Sequence, residues 1–147
     1  MKVVIQRVKE ASVRVESKTI SSIHQGLLIL LGIHHKDSSQ IIKKVVKKIL
    51  ELRIFNDENS KMNLSCLDTN KDILLVSQFT LYADCSKGRR PSYIEAAKPD
   101  YAFILYKEMI EEFRQQYKPI QTGKFGAMMD VQLVNDGPVT IILEEKS

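Results

Sequence analysis

The amino-acid sequence predicts a mixed α/β domain, α+β or α/β, built in layers. Short runs rich in Val, Ile and Leu, about eight in all, recur from Met1 to Leu143 and read as strands. Two longer segments, one after Asp37 and one from Pro99 to Tyr117, carry apolar residues at helical spacing. No internal repeat, linker or low-complexity tract divides the 147 residues, which suit one domain, 1–147, with one core.

Met1 to Val8 is a strand by its Val and Ile content. Ala11 to Glu16 alternates Val13 and Val15 against Ser12, Arg14 and Glu16, as a half-buried strand does. Lys9-Glu10 is expected to turn between the two as a hairpin, and Thr19 to Ile23 is a short third strand. Gly26 to Ile33 is strongly apolar, which fits a central strand buried on both faces. Asp37-Ser38-Ser39-Gln40 has the form of a capping box. The helix it would start has Ile41, Ile42, Val45, Val46 and Ile49 on one face and Lys43, Lys44, Lys47 and Lys48 on the other. The lysine stripe reads as a solvated face, with a track for a phosphate backbone as the alternative.

Leu52 to Phe55 and Lys61 to Leu64 are short strands around a polar loop, Asn56 to Ser60, and Leu67 to Asp72 turns back into the next strand. Pro99 suits the first position of a helix. Phe103, Tyr106, Met109, Ile110, Phe113 and Tyr117 then recur as a core stripe until Pro119 ends it. Ile120 to Phe125, Met128 to Val134 and Val139 to Leu143 supply the last strands.

Three stretches carry polar groups that packing alone does not call for. Ile73 to Asp84 begins as a buried strand, yet Ser77, Gln78 and Thr80 fall inside it, and each costs free energy in a core unless it finds a partner. Either they lie on the solvated face of an edge strand, or the strand ends at a pocket that they line. Asn135-Asp136-Gly137-Pro138 lies between two apolar runs, where a hairpin turn is the ordinary expectation. Lys87-Gly88-Arg89-Arg90-Pro91-Ser92 sets three cations within four residues: a solvated loop, or a phosphate grip in which Arg forks onto phosphate oxygens.

An apolar share of 44%, a charged share of 27% and a formal net charge of +4 are those of an ordinary globular protein, compatible with a nucleic-acid partner. Cys66 and Cys85 are too few for a disulfide framework or a zinc site. His24, His34 and His35 lack thiol or carboxylate neighbours at ligand spacing, and His34-His35 reads as a solvated turn. No secretory leader pattern opens the sequence, and no apolar run approaches the roughly 20 residues of a membrane helix. A reduced cytoplasmic protein without metal or cofactor is expected.

The stretches Val76-Ser77-Gln78-Phe79-Thr80-Leu81-Tyr82-Ala83-Asp84 and Val134-Asn135-Asp136-Gly137-Pro138-Val139-Thr140 together closely resemble the signature motifs of the D-aminoacyl-tRNA deacylases, also called D-tyrosyl-tRNA deacylases. Gln6-Arg7-Val8, Leu52-Arg53-Ile54-Phe55, Lys61-Met62-Asn63, Lys87 to Ser92 and Thr122-Gly123-Lys124-Phe125-Gly126-Ala127 match the same family in the same order. One departure is Asn59-Ser60, where the family usually has a glycine; Asn can also take the turn conformation. The resemblance implies a layered β/β/α, barrel-like fold and a homodimer. It implies hydrolysis of the ester between a D-amino acid, or mischarged glycine, and the terminal adenosine of tRNA, with L-aminoacyl-tRNA rejected. In that family a Gly–cis-Pro pair, here Gly137-Pro138, projects into the partner subunit's active site, where its carbonyls hold the substrate α-amine. By the same resemblance Arg7 clamps that loop, Met129 joins the substrate-binding residues, and Lys87, Arg89 and Arg90 meet the tRNA.

Ester hydrolysis needs an attacking oxygen, a proton acceptor and donors for the oxyanion. No Gly-x-Ser-x-Gly elbow is present, and no histidine lies within the two signature stretches. Thr80 is the obvious protein nucleophile, with Asp84 the only nearby base by sequence. The family resemblance suggests that the RNA 2′-hydroxyl assists instead, leaving Ser77, Gln78, Phe79 and Thr80 as pocket wall and backbone donors. The competing class is a non-catalytic RNA-binding module, which would want exposed aromatics beside basic residues.

Overall fold

The computed structural model describes residues 1–146. Its spine is β1 (Lys2–Val15), a single long strand. One edge of β1 pairs antiparallel with β3 (Gly26–Gly32) and then with β2 (Lys18–Ile23). The other edge pairs antiparallel with β8 (Asp130–Glu144). Beyond β3 the sheet continues in parallel through β6 (Asp72–Ser77) to the short β7 (Gln121–Thr122). A separate two-stranded ribbon joins β4 (Phe55–Asn56) to β5 (Met62–Leu64).

The hairpin expected at Lys9-Glu10 does not form. Neither residue favours a turn, and β8 is long enough to pair both halves of β1, with Glu10 opposite Val134. The ladder instead shifts register between Gln6 and Val8 and again between Val8 and Glu10. Such bulges bend a strand and change which face its side chains serve. Val3 and Ile5 accordingly pack into one core cluster, whereas Val8, Ala11 and Val13 pack into another. In β3, Leu27, Ile29 and Leu31 join the first cluster and Leu28 the second; in β6, Ile73 and Leu75 join the first, Leu74 and Val76 the second. Both faces of these central strands are therefore buried, which explains their unbroken apolar sequence. Helices α1 (Ile42–Glu51) and α3 (Pro99–Gln116) cover the first face. The curled sheet closes over the second, giving the layered, barrel-like fold.

Local departures have local causes. The turn expected over 67–72 contains α2 (Cys66–Thr69), because Ser65 Oγ accepts from the Asp68 amide and the Asp68 carboxylate accepts from the Ser65 amide. Ser60, and not Asn59, takes the left-handed conformation at φ 59°. The predicted strands 52–55 and 120–125 shrink to two residues each, 55–56 and 121–122. Phe103, expected in the core, is exposed and packs its ring on Phe125. Lys44 and Lys48 on α1 pair with Glu145, and Lys47 with Glu51. No helix among the described residues is long and apolar enough to cross a membrane.

Asp37 does not cap α1, which is preceded by a short turn over Ser39–Ile41. Its buried carboxylate accepts from the Met1 ammonium at 2.8 Å and from the His34 amide at 2.8 Å. Asp37→Ala should leave that buried ammonium without its counter-ion, and urea denaturation should show a loss of about 3–5 kcal/mol.

Candidate active site

The strand predicted to run from Ile73 through the polar cluster stops at Ser77. Gln78 continues the pairing by one bond, its amide donating to Leu31 O at 2.8 Å. The chain then coils into a single tight turn over Phe79–Tyr82, with the Ala83 amide donating to Thr80 O at 3.0 Å. Gly32 makes this approach feasible, since a Cβ there would lie 3.0 Å from Leu81 Cβ and 3.3 Å from Gln78 O. Ser77, Gln78 and Thr80 are half-buried, and Phe79 is exposed. The Gln78 side-chain amide donates to Thr80 Oγ1. Gln78 is the partner of that hydroxyl among the described residues, and an amide N–H cannot take its proton. Asp84 is exposed and bonded to the Ser86 amide at 2.9 Å, which holds its carboxyl below the usual range and makes it a poor base.

The two apolar runs around Asn135-Asp136-Gly137-Pro138 do not form a hairpin either. Both pair with β1, so they belong to one strand, and residues 136–139 stand out of the ladder opposite Arg7 alone. Asn135 stitches the base of this bulge. Its Oδ1 accepts from the Val139 amide at 2.7 Å, and its Nδ2 donates to Thr140 Oγ1 at 3.1 Å. Gly137 and Pro138 are exposed, their peptide bond is cis, and Gly137 has φ 141°. Arg7 is 7% exposed. Its Nε donates to Asp136 O at 3.0 Å, and its Nη1 to Ile54 O at 2.7 Å and to Asn56 Oδ1 at 3.2 Å. A cleft of about 460 Å³ beside this clamp is lined by Arg7, Gln25, Asn56, Lys71 and Asp136, and none of 77–80 reaches it.

Within one chain the two signature stretches lie apart. Arg7 is level with Leu27 and Ile73, whereas Ser77 is level with Leu31. From the bulge on β8 to β6 is three inter-strand steps, roughly 14 Å. Met129 is half-buried against the second cluster, its sulfur accepting from the Lys124 amide at 3.3 Å, in space left by Gly123 near Val76. Lys87, Arg89 and Arg90 are exposed on a loop closed by the paired amides and carbonyls of Asp84 and Ser92. His34, His35 and Glu95 are a cluster that offers metal-ligand atoms within 4.8 Å of one another. Both His34 nitrogens are engaged, Nε2 with Glu95 at 2.7 Å and Nδ1 with the Lys36 amide at 3.1 Å. The sequence reading gave no role to Gly32 or Asn56, and none to Asn135 although it lies inside a signature stretch, because each acts through partners that only the tertiary structure supplies.

A sheet curled on itself, helices over one face and a polar turn at a strand end define a class already represented among solved structures. The c-Myc DNA Unwinding Element Binding Protein superposes with a TM-score of 0.95 at 44% identity, covering 100% of both chains. The family model for D-Tyr-tRNA(Tyr) deacylase matches residues 4–144. The D-aminoacyl-tRNA deacylase of Thermosipho africanus is 56% identical over 146 residues, 99% of this chain and 98% of its own. That of Bacillus cytotoxicus is 57% identical over 146 residues, 99% of this chain and 100% of its own. The chain belongs to the D-Tyr-tRNA(Tyr) deacylase family.

A Cβ on Gly137 would fall 2.8 Å from Val139 Cγ2 and 3.2 Å from Arg7 Nη2, at a φ that L-residues rarely adopt. Gly137→Ala should therefore lower the unfolding free energy by about 1–3 kcal/mol in urea denaturation, and a crystal structure of the variant should show the bulge displaced from Arg7.

Proposed function

We propose that this protein hydrolyses the ester of D-aminoacyl-tRNA, and of mischarged glycyl-tRNA, while rejecting L-aminoacyl-tRNA. The observation that carries the reading is full-length identity of 56% and 57% to curated D-aminoacyl-tRNA deacylases. The polar turn after β6 supports it. The amides of Phe79 and Thr80 open that turn, where acceptors within it run out, and they can serve a developing oxyanion.

The Gln78–Thr80 hydrogen bond favours the RNA 2′-hydroxyl over Thr80 as the assisting group, because it leaves Thr80 without a base. Orientation is then the protein's main contribution, worth several kcal/mol of a barrier in favourable cases, about 7–11. Discrimination rests on the bulge. Its exposed position and its distance from Ser77–Thr80 in the same chain support a homodimer in which each bulge completes the other subunit's site. Backbone held rigidly by Arg7 and Asn135 would overlap an L-substituent and leave a D-substituent or glycine free. Lys87, Arg89 and Arg90 approach the phosphates.

Thr80→Val is expected to keep turnover on D-aminoacyl-tRNA within about tenfold of wild type; a fall of roughly 10⁴-fold would make Thr80 the nucleophile. With tRNA ending in 2′-deoxyadenosine and charged on its 3′-hydroxyl, hydrolysis should collapse. Charge reversal of Lys87, Arg89 and Arg90 should weaken tRNA binding and flatten its salt dependence by about one unit of slope for each phosphate no longer neutralised. Reversal of Lys44 and Lys48, already paired with Glu145, should change both much less.

A further inference from the structure

We propose that Tyr93, with Phe79 beside it, is a stacking platform for one unpaired base of the tRNA 3′ end, the base on the 5′ side of the esterified nucleotide. The inference rests on the function proposed above and adds where the single strand runs.

Phe79 is 57% exposed, Tyr93 40% and Ile94 81%. The two rings meet edge to face, centroids 5.1 Å apart at 68°. Exposed apolar side chains that touch one another, as these two rings do, mark a binding surface where scattered single ones do not. Its neighbours state what it binds. Tyr93 directly follows the loop closed at Asp84 and Ser92, where the amide of each donates to the carbonyl of the other at 2.8 and 2.9 Å. On its other side, the Ala96 amide donates to Tyr93 O at 3.0 Å and the Ala97 amide to Ile33 O at 2.9 Å, tying the segment to the end of β3. The ring and the cations of the loop are thus carried on one braced segment. Among the described residues Lys87, Arg89 and Arg90 have no acidic partner.

A single-stranded nucleic acid is recognised by aromatic faces set beside a cationic track. A strand leaving the turn at Phe79 meets Tyr93 next and the loop cations after it. The esterified nucleotide occupies the turn, so the next base stacks and the phosphates beyond it meet Arg89 and Arg90. In the homodimer proposed above the partner subunit's bulge meets the turn at Ser77–Thr80, whereas a two-fold contact through Tyr93 itself would press like-charged loops together, which leaves that ring for the RNA.

The test is a cycle between Tyr93→Ala and a D-aminoacyl-tRNA made abasic at the penultimate nucleotide. Tyr93→Ala should raise KM about tenfold and leave kcat unchanged, with Tyr93→Trp restoring wild-type KM. The abasic substrate should raise KM equally for wild type, and Tyr93→Ala should add nothing further on it. Binding of uncharged tRNA, read by fluorescence anisotropy, should lose affinity in Tyr93→Ala but keep its salt slope, since the cations still meet the phosphates. Unchanged KM, independent penalties from the two changes, or a shift of oligomeric state in Tyr93→Ala by sedimentation would overturn the platform. Were wild type inert on D-aminoacyl-tRNA, the proposed function would fall, and the same cycle run on anisotropy with uncharged intact and abasic tRNA would still decide the platform.

Discussion

A guanidinium buried to 7% exposure is the constraint around which this molecule is arranged. An interior cation is tolerated only where acceptors surround it, and Arg7 finds them on two segments distant in sequence: Ile54 O and Asn56 Oδ1 on one, Asp136 O on the other. The β1 spine, the small β4 ribbon and the bulge of β8 are thereby fixed to one another. The register shifts of β1 around Val8 belong to the same arrangement. They carry the strand from one core cluster to the other, and the bulge of β8 stands opposite Arg7 between them.

The polar turn after β6 is held by different means. β3 and β6 run parallel and end at the same level, with Leu31 opposite Ser77. Ligand sites in α/β sheets favour the carboxyl ends of such strands, where the chain leaves the sheet with unpaired groups. Here the departing chain coils at once over Gly32, and the two buried faces of β3 and β6 beneath it leave little freedom to shift. Tyr106 ties α3 to the same strand, its hydroxyl donating to Leu75 O at 2.9 Å. A rigid strand end with one signature stretch and a bulge clamped elsewhere with the other make two preorganised halves, separated within a single chain.

The sequence by itself determined the layers. Unbroken apolar runs at Gly26 to Ile33 and Ile73 to Val76 required strands buried on both faces, and the 3.6-residue spacing of α1 and α3 required helices with one buried face each. It also singled out Ser77 to Thr80 and the basic loop, because polar groups in apolar runs and clustered cations stand out locally, whereas Arg7 and the role of Gly137-Pro138 were implied only by the family resemblance. Only the tertiary structure decided how these were used. Whether Lys9-Glu10 turns, whether the stretch at 136–139 is a hairpin or a bulge, and whether Asp37 caps a helix or takes a buried ammonium each depend on a partner strand or terminus far away in sequence. The burial of Arg7, the place of Tyr93 beside Phe79 and the separation of the two signature stretches are likewise long-range facts. Periodicity records which face a residue must bury, but not which distant acceptor will be there to meet it.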